Sequence, residues 1–362
     1  MMGEDVYRQL CDTMANRGGL YPGLDIPEFY DVARELFTEE EATVCNALPR
    51  GFNPASVIAK EMGRDEKEVA TILETMADKG LCLAGKKGDM TVYAGLPFVP
   101  GVFEYQFMRG TATERDRRLA RLIRAYKEAY KARVGLKRDP FPLSRVIAVD
   151  RTVKAGNQIH TYDQVAAYIE KYDPLALTTC YCRHQARLID EKEHCGKPDD
   201  VCMQLGTGAQ FVIDRRMGRR ITKEEALEIL KKTEEAGLVH CTTNRQEIDF
   251  ICNCCSCHCV LLKHALAHPK PGLAMNSGFQ PVWDTEICTA CETCIERCPM
   301  EALKMGEDNI PELDLDRCIG CGVCATGCPT EAIGMEERPE IPVPPVDYKA
   351  LKEAIKASQA VK

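Results

Sequence analysis

Two runs of cysteine near the end of the chain carry the clearest chemistry. Cys288, Cys291, Cys294 and Cys298 form a C-x-x-C-x-x-C-x-x-x-C-Pro unit, and Cys318, Cys321, Cys324 and Cys328 repeat it thirty residues later. A C-x-x-C-x-x-C loop wraps tightly enough around an iron–sulfur cube to offer three thiolates to three irons, and the last cysteine of each run ligates the other cube. On that pattern Cys288, Cys291, Cys294 and Cys328 hold one [4Fe–4S] cluster, and Cys318, Cys321, Cys324 and Cys298 hold a second. Zinc fits poorly, because its sites set two cysteine pairs apart and do not run four thiols into a proline. Pro299 and Pro329 stop regular backbone pairing at the crossover, while Gly320, Gly322 and Gly327 leave room for backbone to approach the cubes.

The flanks repeat as well: Asp284-Thr-Glu-Ile-Cys288 matches Asp314-Leu-Asp-Arg-Cys318, and the seven residues from Pro299 match those from Pro329. From about residue 279 to 336 the chain resembles the bacterial two-[4Fe–4S] ferredoxins at every ligand position. The resemblance implies a small pseudo-twofold domain whose clusters lie close enough for fast tunnelling at low potential.

A second cysteine field lies upstream. Cys180, Cys182, Cys195 and Cys202 are followed, after a long gap, by the dense run Cys252, Cys254, Cys255, Cys257 and Cys259, with His184, His194 and His258 among them. Thiols at this density in a reducing compartment point to metal, and at least one further [4Fe–4S] cluster is expected, with zinc as the alternative because Cys and His are mixed. Two four-ligand sets are equally economical: Cys180, Cys182, Cys195 and Cys202, or a selection from the dense run. In an extended strand Cys255, Cys257 and Cys259 share one face and Cys252 and Cys254 the other, so one site using all five needs a turn.

Other elements must position these groups. Between the two halves of the field, Thr222 to Glu225 has capping form and precedes an apolar helical face ending at Gly237. Gly206-Thr-Gly208 lacks the third glycine of a dinucleotide fingerprint and reads as a turn; no nucleotide site is found. Upstream, helices are expected from Thr38, from Asn53 and from Asp65, the last with Val69, Ile72, Leu73 and Met76 on one face. Gly80 stops it, and residues 81–93 read as a hairpin. This helix–helix–helix–hairpin order over residues 37–97 resembles a winged helix-turn-helix. Its third helix is acidic, which phosphate repels, so DNA is not an expected partner and protein docking or a structural role is favoured. Residues 109–138 carry eleven Arg or Lys against Glu114, Asp116 and Glu128. Residues 339–345 form a Pro-rich linker leading to a short helix from Asp347.

The 362 residues and 21 cysteines, of which only the isolated Cys11, Cys45 and Cys82 precede residue 180, thus organise as an α+β multidomain chain. The expected segments are a helical, winged-helix-like domain (1–108), a basic helical connector (109–145), a central Cys-rich α/β domain with an additional metal centre (146–275), the two-cluster ferredoxin-like domain (276–338), and the Pro-rich linker with its C-terminal helix (339–362). The net charge of −8 weighs against general nucleic-acid binding. With no apolar stretch of membrane-spanning length and no leader-like start, the expected location is the cytoplasm. Taken whole, the chain resembles multi-cluster ferredoxin-type proteins of anaerobic microbes. The function this implies is an electron-transfer subunit or adaptor passing single low-potential electrons to a partner oxidoreductase. Two alternatives stay open: a redox-sensing transcription regulator, and an oxidoreductase whose active site is the central cysteine field.

Overall fold

Apolar residues one helical turn apart build the first elements. Leu10 and Met14 line α1 (Met2–Arg17), and Phe29, Val32, Ala33 and Leu36 line α2 (Pro27–Leu36). Thr38 and Glu41 form a reciprocal cap on α3 (Glu39–Ala47), with the Glu41 amide donating to the Thr38 hydroxyl at 3.1 Å and the Thr38 amide to the Glu41 carboxylate at 2.9 Å. β1 (Asn53–Pro54) and α4 (Ala55–Met62) follow. Asp65 then caps α5 (Glu66–Asp78), accepting the Lys67 and Glu68 amides at 3.0 Å, and Val69, Leu73, Met76 and Ala77 form its buried face. β2 (Cys82–Lys87) and β3 (Met90–Gly95) make the hairpin, closing at Lys87 opposite Met90, and β3 also pairs β1. After α6 (Phe103–Phe107), a Thr113–Asp116 capping box starts α7 (Glu114–Val134), whose buried Leu119, Ile123, Tyr126 and Tyr130 keep helical spacing. Part of its basic face is paired locally: Arg118 grips Glu35 through two hydrogen bonds of 2.7 and 2.8 Å.

The structure, a computed structural model, describes residues 2–135, 141–149, 152, 165–193 and 195–360. It divides into two compact units: Met1–Lys137, Tyr181–His194 and Phe211–Gly218 form the first, and Arg138–Cys180, Cys195–Gln210 and Arg219–Lys362 the second. The second is built on a six-stranded antiparallel sheet in the order β4 (Ser144–Val146), β8 (Val239–Thr243), β9 (Phe250–Cys254), β6 (Asp200–Leu205), β5 (Leu175–Thr179), β7 (Arg219–Ile221). Its helices are α8 (Val165–Lys171), α11 (Lys223–Glu235), α12 (Val260–Leu266) and α13 (Pro271–Ala274); α9 (Tyr181–Ile189) belongs to the first unit. Gly206 and Gly208 are not a free turn. Gly206, with φ +53°, opens α10 (Gly206–Asp214) and Gly208 sits in its first turn, because a left-handed glycine directly after β6 lets the chain enter the helix without a loop.

The C-terminal part of the second unit holds two small ribbons, β10 (Phe279–Trp283) with β13 (Ile333–Glu337) and β11 (Leu303–Met305) with β12 (Pro311–Leu313). Short helices α14 (Thr293–Arg297) and α15 (Val323–Thr326) begin within each cysteine run. The sequence repeat is also a backbone repeat. Ala290 and Gly320, Glu292 and Gly322, and Glu301 and Glu331, each thirty residues apart, all adopt positive φ. The Pro-rich segment packs back: the Gln246 amide donates to Pro345 O at 2.8 Å and the Gln246 side chain to Pro344 O at 2.9 Å, ahead of α16 (Tyr348–Ala360), where Leu351 is fully buried.

The first unit encloses a titratable pair. Glu104 on α6 is buried and accepts the Gly101 amide at 2.5 Å, and burial pushes its carboxyl up to about 7 from 4.5. The Lys127 ammonium lies 4.4 Å from the Phe103 ring centre, and burial brings it down to about 8. A folded acid that binds its proton more tightly than the unfolded chain makes stability fall as pH rises through the interval, here from about 4.5 to about 7. Glu104→Gln should flatten that decline, by on the order of 3 kcal/mol across the window. Urea unfolding of both proteins at the two ends of the interval measures it, and parallel pH profiles would refute it.

Candidate metal centres

The ferredoxin-like part contains two cavities, each lined by four cysteines. The outer one is lined by Cys288, the exposed Cys291, Cys294 and Cys328 with Trp283 and Ile333. The inner one is lined by Cys298, Cys321 and the buried Cys318 and Cys324 with Met300, Leu313 and Met335. Each takes three thiols from one run and the last from the other. The wall between them is apolar, a cluster of Phe279, Leu303, Ala325, Ile333 and Met335 around Cys294 and Cys324. Burial pushes the Cys318 thiol up to about 11 and raises Cys321 and Cys324 further, with the neighbouring thiols adding to it. Thiolates gathered in such a place need a compensating positive charge, which bound iron supplies. Cys291 differs: it is exposed, and the hydrogen bond with Thr293, 3.4 Å away, lowers it.

Two glycines have contacts that explain them better than room for a cube. A Cβ on Gly320 would stand 2.1 Å from Phe279 O, and one on Gly327 would stand 2.1 Å from Arg297 Nε. Arg297 needs that space because it donates to the carbonyls of Glu234 and Glu235 at the end of α11, at 2.9 and 3.2 Å, and to Val323 O at 3.2 Å. It ties both cysteine runs to the carbonyl end of a helix, where a cation is favoured.

The upstream field resolves into two groups that sequence order does not show. Antiparallel pairing sets Cys241 on β8 directly opposite Cys252 on β9. Met203 pairs with Ile251, so one residue further along Cys202 of β6 stands opposite Cys252 from the other side. Residues opposite each other in an antiparallel ladder point to the same face, and so do residues two apart, which adds Cys254. Cys259 donates to Cys254 at 3.2 Å, and Cys180, the residue after β5, lies within electrostatic reach of Cys252. The hydrogen bond with Cys202 lowers Cys252, yet Cys254, burial and Cys180 together push it well up. Cys241, hydrogen-bonded to Cys254, is nonetheless pushed up to about 11 by burial and by Cys259, Cys252 and Cys321. The thiol nest therefore lies near the cavity that Cys321 lines. The opposite face of these strands is locked by Asn253, which donates to Val201 O at 2.5 Å and lies 2.6 Å from His240 Nδ1. Cys241 is the residue that sequence reading missed. It is a lone cysteine in a strand, and only the register gives it partners.

The second group is Cys195, Cys255, Cys257 and His258, whose ligand atoms all lie within 4.8 Å of one another. The dense run is a strand only as far as Cys254; a turn follows, so Cys255 and Cys257 leave the nest. Cys195 thus keeps different company from the Cys180, Cys182, Cys195, Cys202 set. Cys182 lies on α9 in the first unit, where its charge acts on Lys127. His184 is engaged at both ring nitrogens, by Thr111 O at 2.7 Å and by the Arg187 guanidinium at 3.1 Å, which leaves no nitrogen for a metal. His194 lies outside the described residues.

Residues 287–332 match the family of the 4Fe-4S dicluster domain. The match spans both cysteine runs and identifies this part of the chain as an iron–sulfur, ferredoxin-like domain. No curated protein matches the chain. No helix among the described residues is long and apolar enough to cross a membrane.

Proposed function

We propose that the protein is an electron-transfer component of an oxidoreductase system, with Cys288, Cys291, Cys294 and Cys328 holding one [4Fe–4S] cluster, Cys298, Cys318, Cys321 and Cys324 the second, and the thiol nest a third. The observation that carries the reading is the pair of four-thiol cavities separated by one apolar wall, with the nest near Cys321. When bound, such clusters accept and release single electrons without any acid, base or nucleophile. The chain's own residues keep water from the inner cavity with Met300, Leu313 and Met335, and hold the loops rigid through Arg297. Cys291 sits on the exposed rim of the outer cavity, the side a redox partner would approach.

In this proposal the N-terminal helices and hairpin serve as a winged-helix-like unit in a structural or docking role. The acidic residues of its third helix are already in use: Arg215 holds Glu74 at 2.7 Å and Asp78 at 2.8 Å. Phosphate brought to that helix would meet Glu66 and Glu68 as well.

Anaerobic purification followed by reductive titration under EPR tests the reading. The expected result is stepwise uptake of about one electron per cluster, reoxidation by an acceptor protein, and no duplex footprint at about 0.2 M salt. A sequence-specific footprint that changes with cluster oxidation would favour a redox-sensing regulator in its place.

A further inference from the structure

We propose that Cys195, Cys255, Cys257 and His258 form a site for one zinc ion, separate from the iron–sulfur centres and independent of the electron-transfer reading. The first argument is distance. Four donors around a single tetrahedral ion with Zn–S of about 2.3 Å and Zn–N of about 2.0 Å must stand roughly 3.5–3.8 Å apart. These four lie within 4.8 Å of one another, and Cys255 Sγ is 3.8 Å from His258 Nδ1. Thiolates that radiate from different iron corners of a cube stand farther apart than thiolates sharing one ion. Among the described residues neither ferredoxin ligand set gathers its donors within 4.8 Å; each set instead surrounds a cavity.

The donor chemistry agrees. Three thiolates and an imidazole in a closed tetrahedron are a structural zinc set, with no open position for substrate. Cys255, Cys257 and His258 come from the single turn between β9 and α12, and Cys195 comes from the segment that leads into β6. That segment is fastened independently, because the Lys197 ammonium donates to Ala236 O just past the end of α11. The ion therefore closes a loop between two strands that are already neighbours in the sheet. It fixes the turn at which the cysteine run divides, sending Cys252 and Cys254 to the nest and Cys255 and Cys257 to the ion.

The test uses the full chain, purified anaerobically and analysed for zinc, iron and sulfide. Wild-type protein should carry about one zinc per chain. Cys257→Ser removes one of only four bonds that hold a single ion, unlike a cube that keeps three other thiolates, and should bring zinc close to zero while leaving iron and the EPR signals unchanged. His258→Cys, which restores a fourth donor, should retain the ion, and cobalt loaded in its place should show tetrahedral ligand-field and thiolate charge-transfer bands that Cys257→Ser abolishes. Wild-type protein without zinc overturns the proposal, as does zinc that survives Cys257→Ser. Loss of about four irons in that variant would assign these thiols to a cube instead. Should Cys257→Ser fail to fold, the wild-type zinc count and the cobalt spectrum still decide. A wild-type iron count well below eight with zinc intact would sink the electron-transfer reading and leave this one standing.

Discussion

Cys318→Ala is expected to remove an entire [4Fe–4S] cluster, about four irons per chain, and to halve the electrons taken up by the ferredoxin-like part. Cys291→Ala should do much less. The contrast follows from position. Cys318 is buried at the inner cavity, and its carbonyl accepts from the Asn276 side chain at 3.1 Å and from Arg338 at 3.4 Å, so the loop cannot move to offer another ligand. Alanine there would leave three thiols in the inner cavity and an apolar lining in place of the fourth. Cys291 stands at the exposed rim, where water or an added thiol can take the vacated position. Iron and sulfide counts with EPR of the reduced proteins separate the two outcomes. Equal losses in both variants would show that burial does not govern cluster retention, and wild-type iron in Cys318→Ala would refute the ligand assignment.

What sequence could show depended on how local the determining contacts are. Three of the four thiols around each ferredoxin cavity lie within seven residues, and the thirty-residue repeat supplies the crossed fourth. The helix after Asp65 was legible because cap, period and terminating Gly80 all lie within one short stretch. Register across a sheet is not local. Cys241 meets Cys252 across eleven residues, and Cys202 meets Cys252 across fifty, through strand pairings that no spacing rule encodes. The same limit explains Cys195, which is nearer in sequence to Cys202 but meets Cys255, Cys257 and His258 in space. The two glycines of Gly206-Thr-Gly208 show a different failure. Both residues permit a turn, but the positive φ is used once, at Gly206, to start a helix directly from a strand. Gly320 and Gly327 read as room for backbone near the cubes, but the close contacts that require glycine there are with Phe279 and Arg297.

Within the thiol nest, Cys252→Ala should have the largest effect of any single change. Cys252 is the one member paired on both sides, opposite Cys241 on β8 and Cys202 on β6, and it is also hydrogen-bonded to Cys254. If the nest holds iron, wild-type protein should carry about twelve irons, and Cys252→Ala should lower that to about eight while the ferredoxin signals persist. If the nest is only packing, removing one buried sulfur costs on the order of 1 kcal/mol, shifts the unfolding midpoint slightly and changes no metal count. The two cases differ in kind, so metal analysis and a denaturant curve on the same samples decide between them. Thr242→Ser, which keeps the hydroxyl that donates to Phe250 O at 2.7 Å on the other face of β8, serves as the control and should leave iron unchanged. Iron loss confined to Cys252→Ala would make the face of β8, β9 and β6 that carries Cys241, Cys252 and Cys202 the floor of a third centre. Its nearness to Cys321 then predicts that reducing the inner ferredoxin cluster broadens the EPR signal of the third, and that Cys318→Ala abolishes the broadening.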